Sequence, residues 1–258
     1  MDTTTYITPR LLEGRLALVT GAGQGNGRAI AIGLAQAGAQ VIVTDINPSG
    51  AAESVALIEA DGGRAVAHTL DVTDAQACKA LAQRIETELG PLNVLVNNAG
   101  ILFRGGIHDA DAERNWERIM KVNVDGTFHP TYAFLPALQR TKGTIINVAS
   151  IAAFRGQPGA IGYSASKGAV KMFTQSLAAD LAKDGVRVNA IAPGVIETPM
   201  TVYTRSDPAR LDHYMRRTPL RRVGQASELV GPVLFLASPM SSYVTGATIP
   251  IDGGFLAI

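Results

Sequence analysis

Tyr163 and Lys167 stand four residues apart in Tyr163-Ser164-Ala165-Ser166-Lys167, at the head of a segment with helical spacing, so one helix face carries a phenol beside an ammonium. A free tyrosine, with a pKa near ~10, is a poor base at neutral pH. Lowering it by ~3 units takes roughly 4 kcal/mol of preferential stabilisation of the phenolate, part of which a neighbouring cation supplies. Ser150, closing a β-branched run upstream, adds a hydroxyl able to hydrogen-bond an oxygen on which charge develops. Together the three groups suit proton transfer at an alcohol or carbonyl oxygen. Singly, each has an ordinary explanation as a surface helix pair or a turn serine.

Such chemistry needs a redox partner, and the N-terminal part of the chain offers a seat for one. A strand-like run leads into Thr20-Gly21-Ala22-Gly23-Gln24-Gly25-Asn26-Gly27 and then into a helical Arg28-Ala29-Ile30-Ala31. Backbone N–H groups of such a turn, with the helix N-terminus behind them, can hold a pyrophosphate. The spacing is Thr-Gly-x-x-x-Gly-x-Gly; the commoner G-x-G-x-x-G is not met, because Asn26 occupies its last place. Asp45 ends the next strand, where a carboxylate can accept from both ribose hydroxyls of NAD and would repel the 2′-phosphate of NADP. The other reading of Asp45 is a helix cap or turn residue before Asn47-Pro48-Ser49. Gln24 and Ile46 stand where a phosphate-neutralising base would be expected, so NAD is favoured.

These groups must be positioned by a regular frame. Leu16–Thr20, Val41–Asp45, Ala65–Asp71, Val94–Asn97, Thr144–Val148, Arg187–Ile191 and Ala247–Asp252 read as seven strands. Between them, 27–37, 50–60, 74–89, 113–139, 162–183 and 226–237 are rich in Ala and Leu at helical spacing. Strands alternating with helices predict an α/β, doubly wound, seven-stranded parallel sheet with helices on both faces. Gly38 fits a helix C-cap, Gly90-Pro91 stops a helix, and Pro250 predicts an edge position for the last strand. No repeat, low-complexity tract or polar linker divides the chain, so one domain over 1–258 is expected, with 196–224 as an irregular segment.

Composition narrows the function classes. A formal charge of +1, from 23 Lys and Arg against 22 Asp and Glu, provides no field for nucleic acid or a membrane surface. The single cysteine, Cys78, cannot form an internal disulfide, and the four histidines lack metal-ligand spacing, so a reducing compartment and no metal are expected. Met1–Arg10 has acid and threonine where a secretory signal would have basic residues and an apolar block, and no apolar run is long enough to span a bilayer. A cytoplasmic protein is the expectation.

In their order the motifs resemble the short-chain dehydrogenase/reductase family, in its single-domain form, from about Leu11 to Gly254. Thr20 to Gly27 matches its cofactor turn, Asp71-Val72 its adenine contact, Asn97-Asn98-Ala99-Gly100 its post-strand signature and Asn123 its helix asparagine. Ser150, Tyr163 and Lys167 fall on its catalytic motif, Pro193-Gly194 and Thr198 on the segment that seats the nicotinamide carboxamide, and Asp252-Gly253-Gly254 on its terminal motif. The resemblance implies a Rossmann-type fold and hydride transfer with NAD. Tyr163 would be the general acid/base, Ser150 would orient the substrate, Lys167 would bind the nicotinamide ribose and Asn123 would hold a water. Gly21, Gln24, Gly25, Asn26, Gly27, Asp45, Asp71, Val72, Asn97, Ala99, Gly100, Tyr163, Lys167, Pro193, Gly194, Ile196 and Thr198 are the implied cofactor residues. Asn26 departs from the family, which commonly has an aliphatic residue there.

Ser150, Ala152, Gln157, Tyr163 and Met200 are the expected substrate residues, with Ile151 and Ile161 completing an apolar wall. Gln157 could bind a second hydroxyl or carbonyl of a diol, polyol or hydroxyketone; otherwise it is a loop amide. Met200 to Arg222 is locally basic, which suits an acidic substrate or a solvated face or subunit contact. Segment 196–224 would cover the substrate, and the long helices 113–139 and 162–183 would build a homotetramer, as in relatives. The leading reading is a secondary-alcohol dehydrogenase or ketone reductase. A carrier- or CoA-linked 3-ketoacyl reductase is the alternative, disfavoured by Asp45, and a non-catalytic NAD sensor is a third.

Overall fold

The computed structural model describes residues 10–258; the reading of Met1–Arg10 as lacking a signal therefore falls, apart from Arg10, outside the described residues. Seven strands, β1 (Leu16–Thr20), β2 (Gln40–Asp45), β3 (Arg64–Thr69), β4 (Val94–Asn97), β5 (Thr144–Val148), β6 (Arg187–Pro193) and β7 (Thr248–Ile251), pair in parallel in the order β3-β2-β1-β4-β5-β6-β7. The expected fold class is the observed one. The order reverses between β1 and β4, and the crevice at their carboxyl ends is where such sheets receive a ligand.

Alternation along the strands divides the core. Val19, Val43, Val96 and Ile146 face α1 (Gly25–Gln36), α2 (Pro48–Ala60) and α9 (Val230–Ala237), meeting Ile30, Leu34, Ile58 and Val233. Leu18, Ile42, Leu95 and Ile145 point the other way, onto α3 (Ala75–Glu88), α5 (Gly126–Thr141) and α6 (Ile161–Leu181), meeting Ile85, Phe134, Leu138 and Leu181. Every strand residue from Leu16 to Thr20 is buried, as expected for a sheet covered on both faces.

Several boundaries depart from the sequence reading. The third strand stops at Thr69: the Leu70 N–H still donates to the Asp45 carbonyl at 3.0 Å, but Asp71 turns away and its carboxylate accepts from the Thr73 N–H. The helix expected over 113–139 is two, α4 (Ala112–Met120) and α5, joined by a π-turn at Lys121–Asp125. The widened turn centres on Asn123, whose side chain is tied to a neighbouring loop. The segment 226–237 opens as a 3₁₀ turn at Ala226–Leu229 before α9 begins. Two short helices, α7 (Val202–Arg205) and α8 (Pro208–Met215), order the segment read as irregular.

Strand β7 lies at the sheet edge, as Pro250 predicted. The carbonyls of Ala247 and Ile251 accept from Ala190 and Gly194 on the β6 side, so alternation turns Pro250, with no N–H to offer, toward the outside. Among the described residues no helix is long and apolar enough to cross a membrane, and no group of His, Cys, Asp or Glu could hold a metal ion.

Candidate active site

Thr20 ends β1 with its side chain buried, and its hydroxyl oxygen accepts the N–H groups of Asn98 and Ala99, both at 3.0 Å. Asn98 returns the link: its Nδ2 donates to the carbonyls of Thr20 at 2.8 Å and Gly21 at 2.9 Å. The glycine turn is thus sewn to the end of β4. Gly21 has φ +62°, and a Cβ there would lie 2.8 Å from the Ala99 Cα, so the close approach requires glycine. Helix α1 then starts at Gly25 with no side-chain cap from Gln24, which leaves its first N–H groups for a ligand.

A cleft of about 360 Å³ runs from this turn across the sheet end. Gly21, Gln24, Gly25, Asn26 and Gly27 line its start with Asp45, followed by Asp71 and Val72 and then by Ala99 and Gly100. Ser150, Tyr163 and Lys167 stand at its far end, with Pro193, Gly194, Ile196, Thr198 and Met200. Asp45 is held in place, its Oδ2 accepting from the Gly23 N–H at 2.8 Å and its Oδ1 from the Asn47 N–H at 2.9 Å. The cap of α2 is Asn47, which accepts from Ser49 and Gly50, so Asp45 is not the cap; through the Asn47 N–H it is the expected turn residue, and it borders the cleft as well. The residues present suit a dinucleotide: a glycine-rich cradle, uncapped helix amides, a carboxylate for ribose hydroxyls and an ammonium.

Six of the expected residues are not in the lining of this cleft. The Asn97 side chain turns into the interior, donating to Thr131 Oγ1 and Asn147 Oδ1, both at 2.9 Å; its neighbour Asn98 lines the cleft instead. Asn123 is fully buried: its Oδ1 accepts from the Ile101 N–H at 2.8 Å and its Nδ2 donates to the Ile101 carbonyl and to Ser166 Oγ, both at 3.0 Å. Its amide hydrogens are therefore spent on bracing the π-turn against α6. Ala152 is buried behind Ser150, donating its N–H to Ser150 Oγ at 3.1 Å. Of the apolar wall, Met200 alone lines the cleft; Ile151 is in the core and Ile161 points outward. Gln157 lines an adjoining cavity, where its Oε1 accepts from the Tyr214 hydroxyl at 3.2 Å.

Tyr163 and Lys167 project from the first turns of α6 over the end of β5. Burial pushes the Tyr163 phenol above its ordinary value; the neighbouring Ser150 hydroxyl and the charge of Arg104 act against that, while Tyr214 adds to it. Arg104 and Tyr214 went unread in the sequence, for they sit in segments without periodicity. Lys167 is 5% exposed, donates to the Val148 carbonyl at 2.7 Å, and has its ammonium pushed down to about 8 by burial.

That shift makes a stability prediction. A lysine titrating near 10.5 when unfolded and about 8 when folded costs the ligand-free protein roughly 3 kcal/mol below pH 8, and the cost disappears as pH rises from about 8 to 10.5. Lys167→Met removes the titration and adds a pH-independent offset from the unpaired Val148 carbonyl. Chemical denaturation of both proteins should therefore show the wild type gaining on the variant across that window. A constant difference between them would refute the assignment.

The decisive observation comes from known proteins. A family model described as enoyl-(acyl carrier protein) reductase matches residues 21–256. The 3-oxoacyl-(acyl-carrier-protein) reductase of Thermotoga maritima is 40% identical over 95% of this chain and 99% of its own length. The chain belongs to the short-chain dehydrogenase/reductase family. The galactitol 2-dehydrogenase (L-tagatose-forming) of Cereibacter sphaeroides is 42% identical over 97% of this chain and 98% of its own. A solved gluconate 5-dehydrogenase of Burkholderia cenocepacia, in complex with NADP and tartrate, superposes with TM-score 0.91 at 36% identity, covering 96% and 98% of the two chains. This short-chain dehydrogenase/reductase is accordingly an oxidoreductase that interconverts a secondary alcohol and a ketone with a nicotinamide dinucleotide.

Proposed function

We propose that the protein is an NAD-dependent dehydrogenase that oxidises a secondary carbinol of an open-chain polyhydroxylated substrate, or reduces the matching ketone. One observation carries this reading: a single cleft with Asp45 at one end and Ser150, Tyr163 and Lys167 at the other. When bound, the nicotinamide ring takes or gives the hydride. Ser150 hydrogen-bonds the substrate oxygen, Tyr163 moves its hydroxyl proton, and Lys167 holds the ribose and favours the phenolate. The Gln157–Tyr214 pair supplies polar groups for further hydroxyls, in keeping with relatives named for galactitol and gluconate.

Segment 196–224 is read as the cover of the substrate, tethered to the opposite wall by the Tyr214–Gln157 bond and by Arg104, whose guanidinium donates to Thr204 Oγ1 at 2.7 Å. Exposed Trp116, Phe128, Tyr132 and Met172 on α4, α5 and α6 support a tetramer assembled through these helices. A cytoplasmic setting agrees with Cys78, a buried free thiol that burial raises to about 11.

The preference for NAD rests on charge. Asp45 would oppose a 2′-phosphate by roughly 2 kcal/mol even in a solvent-like dielectric. Arg28, which reaches the Gly23 carbonyl, is held by Glu53 at 2.7 Å and by Ser54, so it is not free to receive the phosphate. Steady-state kinetics with both cofactors should favour NAD⁺, and Asp45→Ser should move the kcat/KM ratio toward NADP⁺ by about 30-fold or more. A wild-type enzyme that prefers NADP⁺, as its solved relative's bound cofactor would suggest, overturns this reading of Asp45.

A further inference from the structure

Beside Tyr163 opens a second cavity, of about 710 Å³, in which Asp109 is the sole acid against Arg104, Arg155, Arg210 and Arg217. Asp109 is engaged by the Gly106 N–H at 3.0 Å. Across the cavity wall two guanidinium groups gather about one ring: the Cζ of Arg210 lies 3.8 Å from the Tyr203 centroid and that of Arg104 lies 5.2 Å from it. Arg210 has Asp207 at 3.3 Å, yet its Nε is buried without a hydrogen-bond partner. Arg104 forms no ion pair among the described residues; its one side-chain hydrogen bond is to Thr204, and its charge reaches the Tyr163 phenol.

Two cations stacked on one ring, of which Arg210 alone pairs with Asp207, leave the positive charge of Arg104 unbalanced, and an incoming anion would meet it. We infer that Arg104 and Arg210, ordered by Tyr203, form an anion subsite that takes the carboxylate of a polyhydroxy acid while a carbinol further along the same chain meets Ser150 and Tyr163. The inference rests on the proposed dehydrogenase reading and deepens it. Relatives named for a neutral polyol and for a sugar acid leave the two substrate classes open, and these two arginines select the acid.

The test pairs aldonates of four to six carbons with the alditols of the same chain, scored by NADH formation. The wild type should use its best aldonate with a kcat/KM at least about 10-fold above that of the matching alditol. Arg210→Met should cost that aldonate roughly 10- to 100-fold, chiefly in KM, and change alditol turnover less than about threefold. Arg210→Lys should recover part of the loss, and Arg104→Met, which also takes a positive charge from beside Tyr163 and a tether from segment 196–224, should lower both classes with the larger loss on the aldonate. Equal losses on both classes, or alditols used as well as aldonates, would overturn the subsite and leave the dehydrogenase standing. Turnover of neither class would overturn both.

Discussion

Tyr163→Phe is expected to lower kcat by about three orders of magnitude while leaving NADH affinity within about twofold. Only one oxygen is removed. The ring keeps its place on α6, the Lys167 ammonium remains on the Val148 carbonyl, and no residue of the glycine turn is touched. General acid–base groups contribute typically about 10²- to 10⁴-fold, and no other titratable group with a perturbed pKa stands at that end of the cleft except Lys167, which has no direct route to the substrate oxygen in the proposed arrangement. Single-turnover kinetics and a fluorescence titration with NADH would separate chemistry from binding. Residual kcat within tenfold of wild type would defeat the role given to Tyr163. The pH dependence bears on the same point. A phenol held above its ordinary value in the free protein must be deprotonated to serve oxidation, so the oxidative rate should climb on the alkaline side and the reductive rate should fall.

A comparably large effect is expected from a change that touches no reacting group. In Gly27→Ala the added methyl would overlap the Gly21 carbonyl oxygen and the Asn98 Nδ2, and would lie 2.9 Å from the Ala22 Cα. None of these neighbours is the free end of a flexible side chain. The Asn98 amide is the stitch between β4 and the turn, so the methyl must either break it or push the turn outward. Overpacking of this kind costs about 1–3 kcal/mol, and here the displaced atoms are those that shape the phosphate cradle. Dinucleotide affinity should drop at least about 100-fold, with a lowered Tm. Gly231→Ala on α9, where nothing lies within 4 Å of the new Cβ, should be neutral or slightly stabilising and serves as the control. A Gly27→Ala protein that binds NADH normally would show that the turn is more plastic than its contacts imply.

The frame was legible because strands buried on both faces read as short, continuous apolar and β-branched runs set apart by helical segments. Which face each residue serves is settled by packing: Val19, Val43 and Val96 join one layer, and Leu18, Ile42 and Leu95 the other. What failed was local choice that depends on distant partners. Nothing in Lys121-Val122-Asn123-Val124-Asp125 announces a π-turn, since its cause is the Ile101 backbone, brought alongside by the fold. Asn97 and Asn98 are chemically identical neighbours. Only the pairing of Asn97 with Asn147 on β5 and Thr131 on α5 decides that the first faces the core and the second the ligand. Arg104 and Tyr203 lie in a loop and a four-residue helix, where no periodic pattern says which way a side chain turns. The convergence of Ser150, Tyr163 and Lys167 was readable because their spacing follows the end of a strand and the first turns of a helix, which are features of local geometry. The adjoining cavity is lined from four separate segments, and its assembly was not.

The edge strand has a consequence for how copies of this chain can meet. An open parallel sheet ends in a row of unsatisfied amides, and such a row can recruit a strand from another molecule and continue without limit. Along β7 only Thr248 and Pro250 face outward, and one of the two brings no hydrogen to share. A neighbouring strand laid along this edge would find its ladder interrupted after a single rung. Subunits brought together here must therefore recognise one another through side chains, whose shapes allow a closed assembly of fixed number in place of an endless ribbon.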